Sequence, residues 1–205
     1  MTSNTDLAAR DGACLWHPYT QMQNRPPPLA IARGKGVYLY TEDGRKILDG
    51  TSSWWVNIHG HAHPALNAAL AKQADELEHV IFAGCTHRPA VELAERLVEV
   101  LPDGLTRVFY SDDGSTAVEV GLKLAWQHWQ NRGQDERRDF IALDHAYHGD
   151  TVGAMSVSEP SSFTAPFTSL LFPVIRAHDP YCYRCPVGLD RANCDIDCLD
   201  SLETH

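Results

Sequence analysis

The residues best suited to chemistry fall in four stretches of the chain. Ser111-Asp112-Asp113-Gly114-Ser115 is turn-forming sequence, set between an apolar run, Val108 to Tyr110, and Val118, Leu122, Ala125, Trp126 and Trp129 at helical spacing. Strand, tight turn and helix are expected in that order. Thr116 and Glu119 fit a capping box, with Ser115 an alternative cap. Such a helix start offers unpaired N–H groups at the positive end of a dipole, beside a glycine that admits close approach. Gly114 and Ser115 could therefore hold a phosphate. The competing reading is that they only cap the helix.

The second stretch, His145-Ala146-Tyr147-His148-Gly149-Asp150-Thr151, follows a short apolar run, Phe140 to Leu143. In open α/β sheets ligands gather beyond the carboxyl ends of strands, so Tyr147 and Gly114-Ser115 could face one pocket. An anion cup beside an aromatic ring suits a flat phosphorylated ligand. Tyr147 could equally cap the sheet edge.

Third, Ser52-Ser53-Trp54-Trp55 places two tryptophans side by side. Regular structure cannot turn both into one core, so one lines a cavity or interface, unless both are ordinary packing aromatics. Downstream, His59, His61 and His63 alternate as metal ligands on a strand would, but Gly60 and Pro64 suggest a loop and no carboxylate partner is obvious. Fourth, Cys182-x2-Cys185, eight residues, then Cys194-x3-Cys198 is a thiolate set for zinc or an iron–sulfur cluster, or four reduced cysteines in a loop. Cys14 and Cys85 stand alone and read as packing or free thiols.

The elements that position these residues are partly visible. Val37 to Thr41, Glu42-Asp43-Gly44 and Arg45 to Asp49 form a hairpin pattern after an extended proline run, Pro26 to Pro28. One helix is expected from Ala65, on Leu66, Ala69, Leu70, Ala74 and Leu77. Another follows Thr86, with Pro89 in its first turn and Ala90, Leu93, Ala94, Leu97, Val98 and Leu101 on one face. Phe140 to Leu143 should be a buried strand, parallel to the run before Gly114. Leu170 to Ile175 could be a further strand, at an edge because of Pro173.

The fold class is α/β, with 1–60 an N-terminal segment carrying the hairpin and 61–205 built on a mainly parallel sheet. The 205 residues are 43% hydrophobic with a formal net charge of -10, which disfavours nucleic-acid and anionic-membrane partners. Met1 to Gly12 is polar and reads as neither a secretory signal nor a span, so a cytoplasmic protein with reduced cysteines is expected.

Five motifs occur together in this order: Trp16-His17-Pro18-Tyr19-Thr20, Asp49-Gly50-Thr51-Ser52-Ser53-Trp54-Trp55, His87-Arg88-Pro89-Ala90, Gly114-Ser115-Thr116-Ala117-Val118-Glu119-Val120, and Tyr147 to Val157. With them the chain resembles the class III pyridoxal-phosphate aminotransferases of fold-type I, and within them the biotin-pathway branch. The resemblance implies that Gly114 and Ser115 bind the phosphate of pyridoxal 5'-phosphate and that Tyr147 stacks on its ring and touches substrate. It implies a substrate pocket with Trp54 in its wall, Trp55 behind it, Tyr19 near the amino donor and Asp150 anchoring hydrogen bonds. The implied reaction moves an amino group from S-adenosylmethionine to 8-amino-7-oxononanoate, in a homodimer. Another class III ω-amino-acid aminotransferase is the alternative, and a truncated remnant or metal-binding module a further one.

Transamination needs a lysine amine. None of Lys35, Lys46, Lys72 and Lys123 matches the family's lysine, which lies beyond the stretch that the resemblance covers. The chain therefore resembles the N-terminal half of such an enzyme, its C-terminal part missing, and on its own is expected to be inactive.

Overall fold

The computed structural model describes residues 4–203. They divide into two compact units, up to Glu92 and from Leu93 onward.

In the first unit, helix α1 (Asn4–Cys14) was not apparent from the polar sequence. Its Asp11 accepts from Arg25 Nη2 at 2.8 Å and pairs with His17 Nε2 at 2.9 Å, tying the following loop to the helix. The expected hairpin is present as β2 (Tyr38–Thr41) and β3 (Lys46–Leu48), and β1 (Ile31–Lys35) extends it to a three-stranded antiparallel sheet in the order β1-β2-β3. Gly44 takes a positive φ of 87° in the tight turn. Across the sheet Arg33 lies 3.5 Å from the Tyr40 ring centre and Lys46 3.6 Å from that of Tyr38. One irregular turn, α2 (Ser52–Trp55), precedes α3 (Pro64–Glu76), whose first residue is the proline that suits a helix start. Helix α4 (Arg88–Val100), again with proline in its first turn, begins in this unit and runs past its limit at Glu92.

The second unit is built on α5 (Gly114–Asn131), β4 (Ile141–Leu143), α6 (Val152–Val157) and β5 (Ile175–Ala177). β4 and β5 pair in parallel, Ile141 opposite Ile175 and Leu143 opposite Ala177. Two sequence expectations are corrected here. Val108 to Tyr110 is not a strand: β4 takes β5 as its neighbour, no other strand pairs with 108–110 among the described residues, and Phe109 is 69% exposed. Leu170 to Ile175 is not a strand either. Leu170 closes a 3₁₀ turn, Pro173 cannot donate to a ladder, and β5 begins at Ile175.

Helix α6 is only six residues long, yet Gly153, Ala154, Met155, Ser156 and Val157 are buried. So short a helix leaves nearly all its terminal amides and carbonyls without intrahelical partners. Both ends are met by charged side chains from other elements. Glu119 of α5 accepts from Gly153 N at 2.7 Å and Ala154 N at 3.3 Å. At the far end Arg176 of β5 donates to the carbonyls of Ser156 (2.9 Å), Val157 (3.2 Å) and Ser158 (2.6 Å). Anion at the amino end and cation at the carboxyl end both complement the helix dipole. Among the described residues no helix is long and apolar enough to cross a membrane.

After β5 the chain forms three 3₁₀ turns, Cys182–Arg184, Arg191–Asn193 and Asp197–Leu199, and then α7 (Asp200–Glu203).

Candidate active site

Helix α5 starts three residues earlier than the capping box expected from Thr116 and Glu119. Asp113 is the cap: its carboxylate accepts from Thr116 N at 2.8 Å, while Thr116 Oγ1 accepts from Asp113 N at 2.9 Å. Glu119 is thereby released from capping α5 and serves α6 instead. The amides of Gly114 and Ser115 have no partner among the described residues. Gly114 has no positive φ, and a Cβ built on it would meet nothing within 4 Å. Neither backbone conformation nor packing therefore requires glycine at 114, and the space where a Cβ would stand is open.

Ser115 faces the loop that leaves β4. Its hydroxyl oxygen accepts from Asp150 N at 3.2 Å, which leaves its hydrogen to donate to an anion. The loop is fixed at both ends. His145, at a left-handed φ of 57°, donates its N–H to Glu159 at 2.9 Å, and its ring contacts Asp179 at 3.1 Å. The Asp179 carboxylate, chiefly, holds the His145 pKa above its ordinary value. Glu159 N donates to Ala146 O at 2.7 Å, and His148 N to Ser158 Oγ at 2.8 Å. Between these anchors Tyr147 stands 71% exposed, its hydroxyl donating to Asp150 at 2.9 Å. A chain of bonds thus runs from Tyr147 through Asp150 to Ser115, and the two sequence motifs share one corner of the second unit.

Two glycines permit that approach. Gly149 has φ of 121°, and a Cβ there would overlap Ser115 Oγ and lie 2.7 Å from Ser115 Cβ. A Cβ on Gly153 would overlap the Glu119 carboxylate, 2.8 Å from its Cδ. The nearby Thr151 hydroxyl, then the Gly153 and Ala154 amides, hold the Glu119 pKa below its ordinary 4.5. A carboxylate whose pKa is lower folded than unfolded stabilises the fold above the unfolded value, and that contribution is lost as pH falls through the folded one. Glu119→Ala is expected to speed hydrogen exchange at Gly153 and Ala154 at pH 7, and to flatten the loss of stability that the parent chain shows below about pH 4.5. An unchanged acid limb in denaturant titrations would count against this.

In the first unit, Ser52, Ser53, Trp54 and Trp55 all have positive φ, between 47° and 72°. Left-handed backbone costs about 1–2 kcal/mol per non-glycine residue, so so long a run needs external support. Asp49 supplies it, accepting from Ser53 N at 2.9 Å and Ser53 Oγ at 2.7 Å while contacting His61 Nε2 at 2.7 Å. The Ser53 amide, the Ser53 hydroxyl and His61, in that order, lower the Asp49 pKa to about 2. Trp54 and Trp55 are 73% and 77% exposed, stacked on each other with ring centres 6.4 Å apart, and Tyr19 stacks on Trp54 at 6.2 Å. Packing of either tryptophan into a core is thus excluded within this unit.

Asp49 is the carboxylate partner not recognised from sequence, twelve residues before His61. His61 pairs with Asp49, and His59 and His63 meet edge to face at 6.1 Å. Among the described residues no group of three or more His, Cys, Asp or Glu side chains is placed to hold a metal ion, and this includes Cys182, Cys185, Cys194 and Cys198. Cys182 is exposed, its thiol directed at the Pro180 carbonyl, whereas Cys198 is buried. Burial first, then the neighbouring Cys194, Cys185 and Cys182, raise the Cys198 pKa, which favours an unreactive thiol. Cys14 and Cys85 are exposed, as free thiols would be.

Residues 19–205 match the family described as Aminotransferase class-III. The chain belongs to that family. It is 48% identical over 192 residues to an adenosylmethionine-8-amino-7-oxononanoate aminotransferase of Geobacter sulfurreducens, covering 92% of this chain and 42% of the relative. To the enzyme of the same name from Synechococcus elongatus it is 57% identical over 160 residues, 78% of this chain and 38% of the relative. Among solved structures it superposes on the Methanocaldococcus jannaschii enzyme of that name with a TM-score of 0.81 at 42% identity, covering 89% of this chain and 42% of that one. An omega transaminase variant from Pseudomonas jessenii gives 0.86 at 28% identity over 97% of this chain and 45% of that one. This class III chain thus spans about two fifths of the length of the relatives it matches. The fold-type I α/β class expected from the motifs is the fold of these structures.

Proposed function

We propose that this chain forms the phosphate cup and part of the substrate wall of a pyridoxal 5'-phosphate-dependent adenosylmethionine-8-amino-7-oxononanoate aminotransferase. The open space beside Gly114, flanked by two amides without a partner among the described residues and by an oriented Ser115 hydroxyl, is the observation that carries the cofactor assignment. The Gly114 and Ser115 amides and the Ser115 hydroxyl donate to the phosphate, at the positive end of an 18-residue helix. Tyr147 covers the pyridine ring, and Asp150 sets the direction of the Tyr147 hydroxyl. The bound cofactor supplies the electron sink that amino transfer needs. Trp54 and Tyr19 offer flat surfaces to substrate, with Trp55 stacked behind Trp54.

The biotin-pathway assignment is favoured over other ω-amino-acid aminotransferases by the Trp16-His17-Pro18-Tyr19 and Ser53-Trp54-Trp55 motifs and by 41–57% identity to relatives bearing that name. The complete enzyme on this reading is a cytoplasmic homodimer using S-adenosylmethionine as donor.

Gly114→Val separates a ligand role from a structural one. Because a Cβ at 114 meets open space, the variant should keep parental stability, within about 0.5 kcal/mol, while its affinity for pyridoxamine phosphate falls at least about tenfold. Calorimetric titration that finds equal affinity in both proteins would remove the phosphate-cup assignment.

A further inference from the structure

A rigid relay leads from the β-sheet of the first unit to its aromatic surface. It begins at Gly34, inside β1, and Gly36, in the turn between β1 and β2. Gly36 N donates to His61 O at 3.0 Å and His61 N to Gly36 O at 2.8 Å, so the histidine backbone is bridged to the turn. On Gly34 a Cβ would lie 2.6 Å from both Cβ and Cγ of His61, so the histidine side chain packs against a position that only glycine leaves open. The ring is thereby aimed at Asp49, whose side chain is 7% exposed. Asp49 in turn holds both the amide and the hydroxyl of Ser53, the second of the four left-handed residues. Their backbone alone would relax towards ordinary φ values, turning the indoles of Trp54 and Trp55 away from Tyr19.

We propose that Asp49 is a positioning residue that fixes the Tyr19–Trp54–Trp55 stack as a preformed flat wall for the substrate, with His61 and the Gly34–Gly36 turn as its support. Asp49 does not touch substrate on this view. It spares the site the cost of ordering two large rings during binding, which is how preorganisation raises affinity. That the wall faces substrate rests on the function proposed above; that Asp49 builds the wall does not.

The deciding experiment is NMR of the 205-residue chain without ligand, comparing the parent with Asp49→Ala, Asp49→Asn and Gly34→Ala. In the parent, ring-to-ring NOEs should connect Tyr19 with Trp54 and Trp54 with Trp55. Asp49→Ala should abolish them and accelerate Ser53 amide exchange at least about tenfold, while the β2–β3 amide resonances stay in place. Asp49→Asn keeps an acceptor for the Ser53 amide and should retain part of the NOE intensity. Gly34→Ala leaves Asp49 intact but displaces His61, and should loosen the rings in the same way. Undiminished inter-ring NOEs in Asp49→Ala or in Gly34→Ala would overturn the proposal. The substrate reading fails separately, if Trp54→Ala leaves the affinity for a substrate analogue unchanged.

Discussion

Gly149→Ala is expected to lose both stability and cofactor affinity, by larger margins than any other single methyl added to the second unit. At φ of 121° an alanine is strained whatever space surrounds it, and here its methyl would overlap Ser115 Oγ and lie 2.7 Å from Ser115 Cβ. The neighbour is a short side chain at a helix start, with little freedom to swing aside. Left-handed strain of about 1–3 kcal/mol and overpacking of about 1–3 kcal/mol act together, giving an expected loss of about 3 kcal/mol. Relief requires the loop to lift off α5, breaking the bond from Asp150 N to Ser115 and carrying Tyr147 away. Urea denaturation should show the lower midpoint, and binding of pyridoxamine phosphate should fall by about two orders of magnitude. A Gly149→Ala chain with parental midpoint and affinity would show that α5 and the loop are not docked as described.

The second large effect concerns turnover. The chain has four lysines, and Lys123 is the sole lysine of the second unit. It sits eight residues beyond Ser115 on α5, about 12 Å along the axis, at 1.5 Å per residue. There it lines an open cavity of about 510 Å³ with Glu119, Leu122, Trp126 and Phe140, away from the helix start. Lys72 lies 3.8 Å from Glu76 on α3, and Lys46 lies over the Tyr38 ring. An aminotransferase without a lysine amine at the cofactor lacks both its covalent anchor and its proton carrier. Supplied with pyridoxal phosphate, S-adenosylmethionine and 8-amino-7-oxononanoate, the chain alone should turn over at least about 10³-fold more slowly than a complete relative. Product formation at the relative's rate would refute the expectation and force a search for another amine among these four.

The same cavity bears on how the sheet is finished. Parallel strands are usually covered on both faces, yet of β4 and β5 only Ala142 and Ala177 are buried, and α5 has no buried residue among those described. Relatives more than twice as long have the chain to cover such surfaces.

Much of the second unit's corner could be read from sequence because its determinants are local. A turn with glycine and serine before a helical series, and an aromatic after a short apolar run, identify themselves within ten residues. Local pattern also gave the hairpin at Glu42-Asp43-Gly44 and the prolines opening α3 and α4. What escaped was set by distant partners. Val108 to Tyr110 has the composition of a strand but no partner strand among the described residues, and composition says nothing about pairing. Glu119 looked like the end of a capping box because its true partners, the Gly153 and Ala154 amides, lie more than thirty residues away. Arg176 gave no hint of capping α6, and Asp49 none of holding His61. The cysteine spacing suggested metal, but spacing does not fix where four sulfurs point.

The central claim is that the amides of Gly114 and Ser115 grip a phosphate while Tyr147 covers the ring attached to it. Its most direct test is a ¹⁵N-resolved NMR titration of the chain with pyridoxamine phosphate and, in parallel, with pyridoxamine. The account predicts that the phosphorylated ligand moves the Gly114 and Ser115 amides and the Tyr147 ring resonances together, and binds at least about tenfold more tightly than its dephosphorylated twin. Equal responses to the two ligands, or shifts that leave residues 114, 115 and 147 untouched, would contradict it.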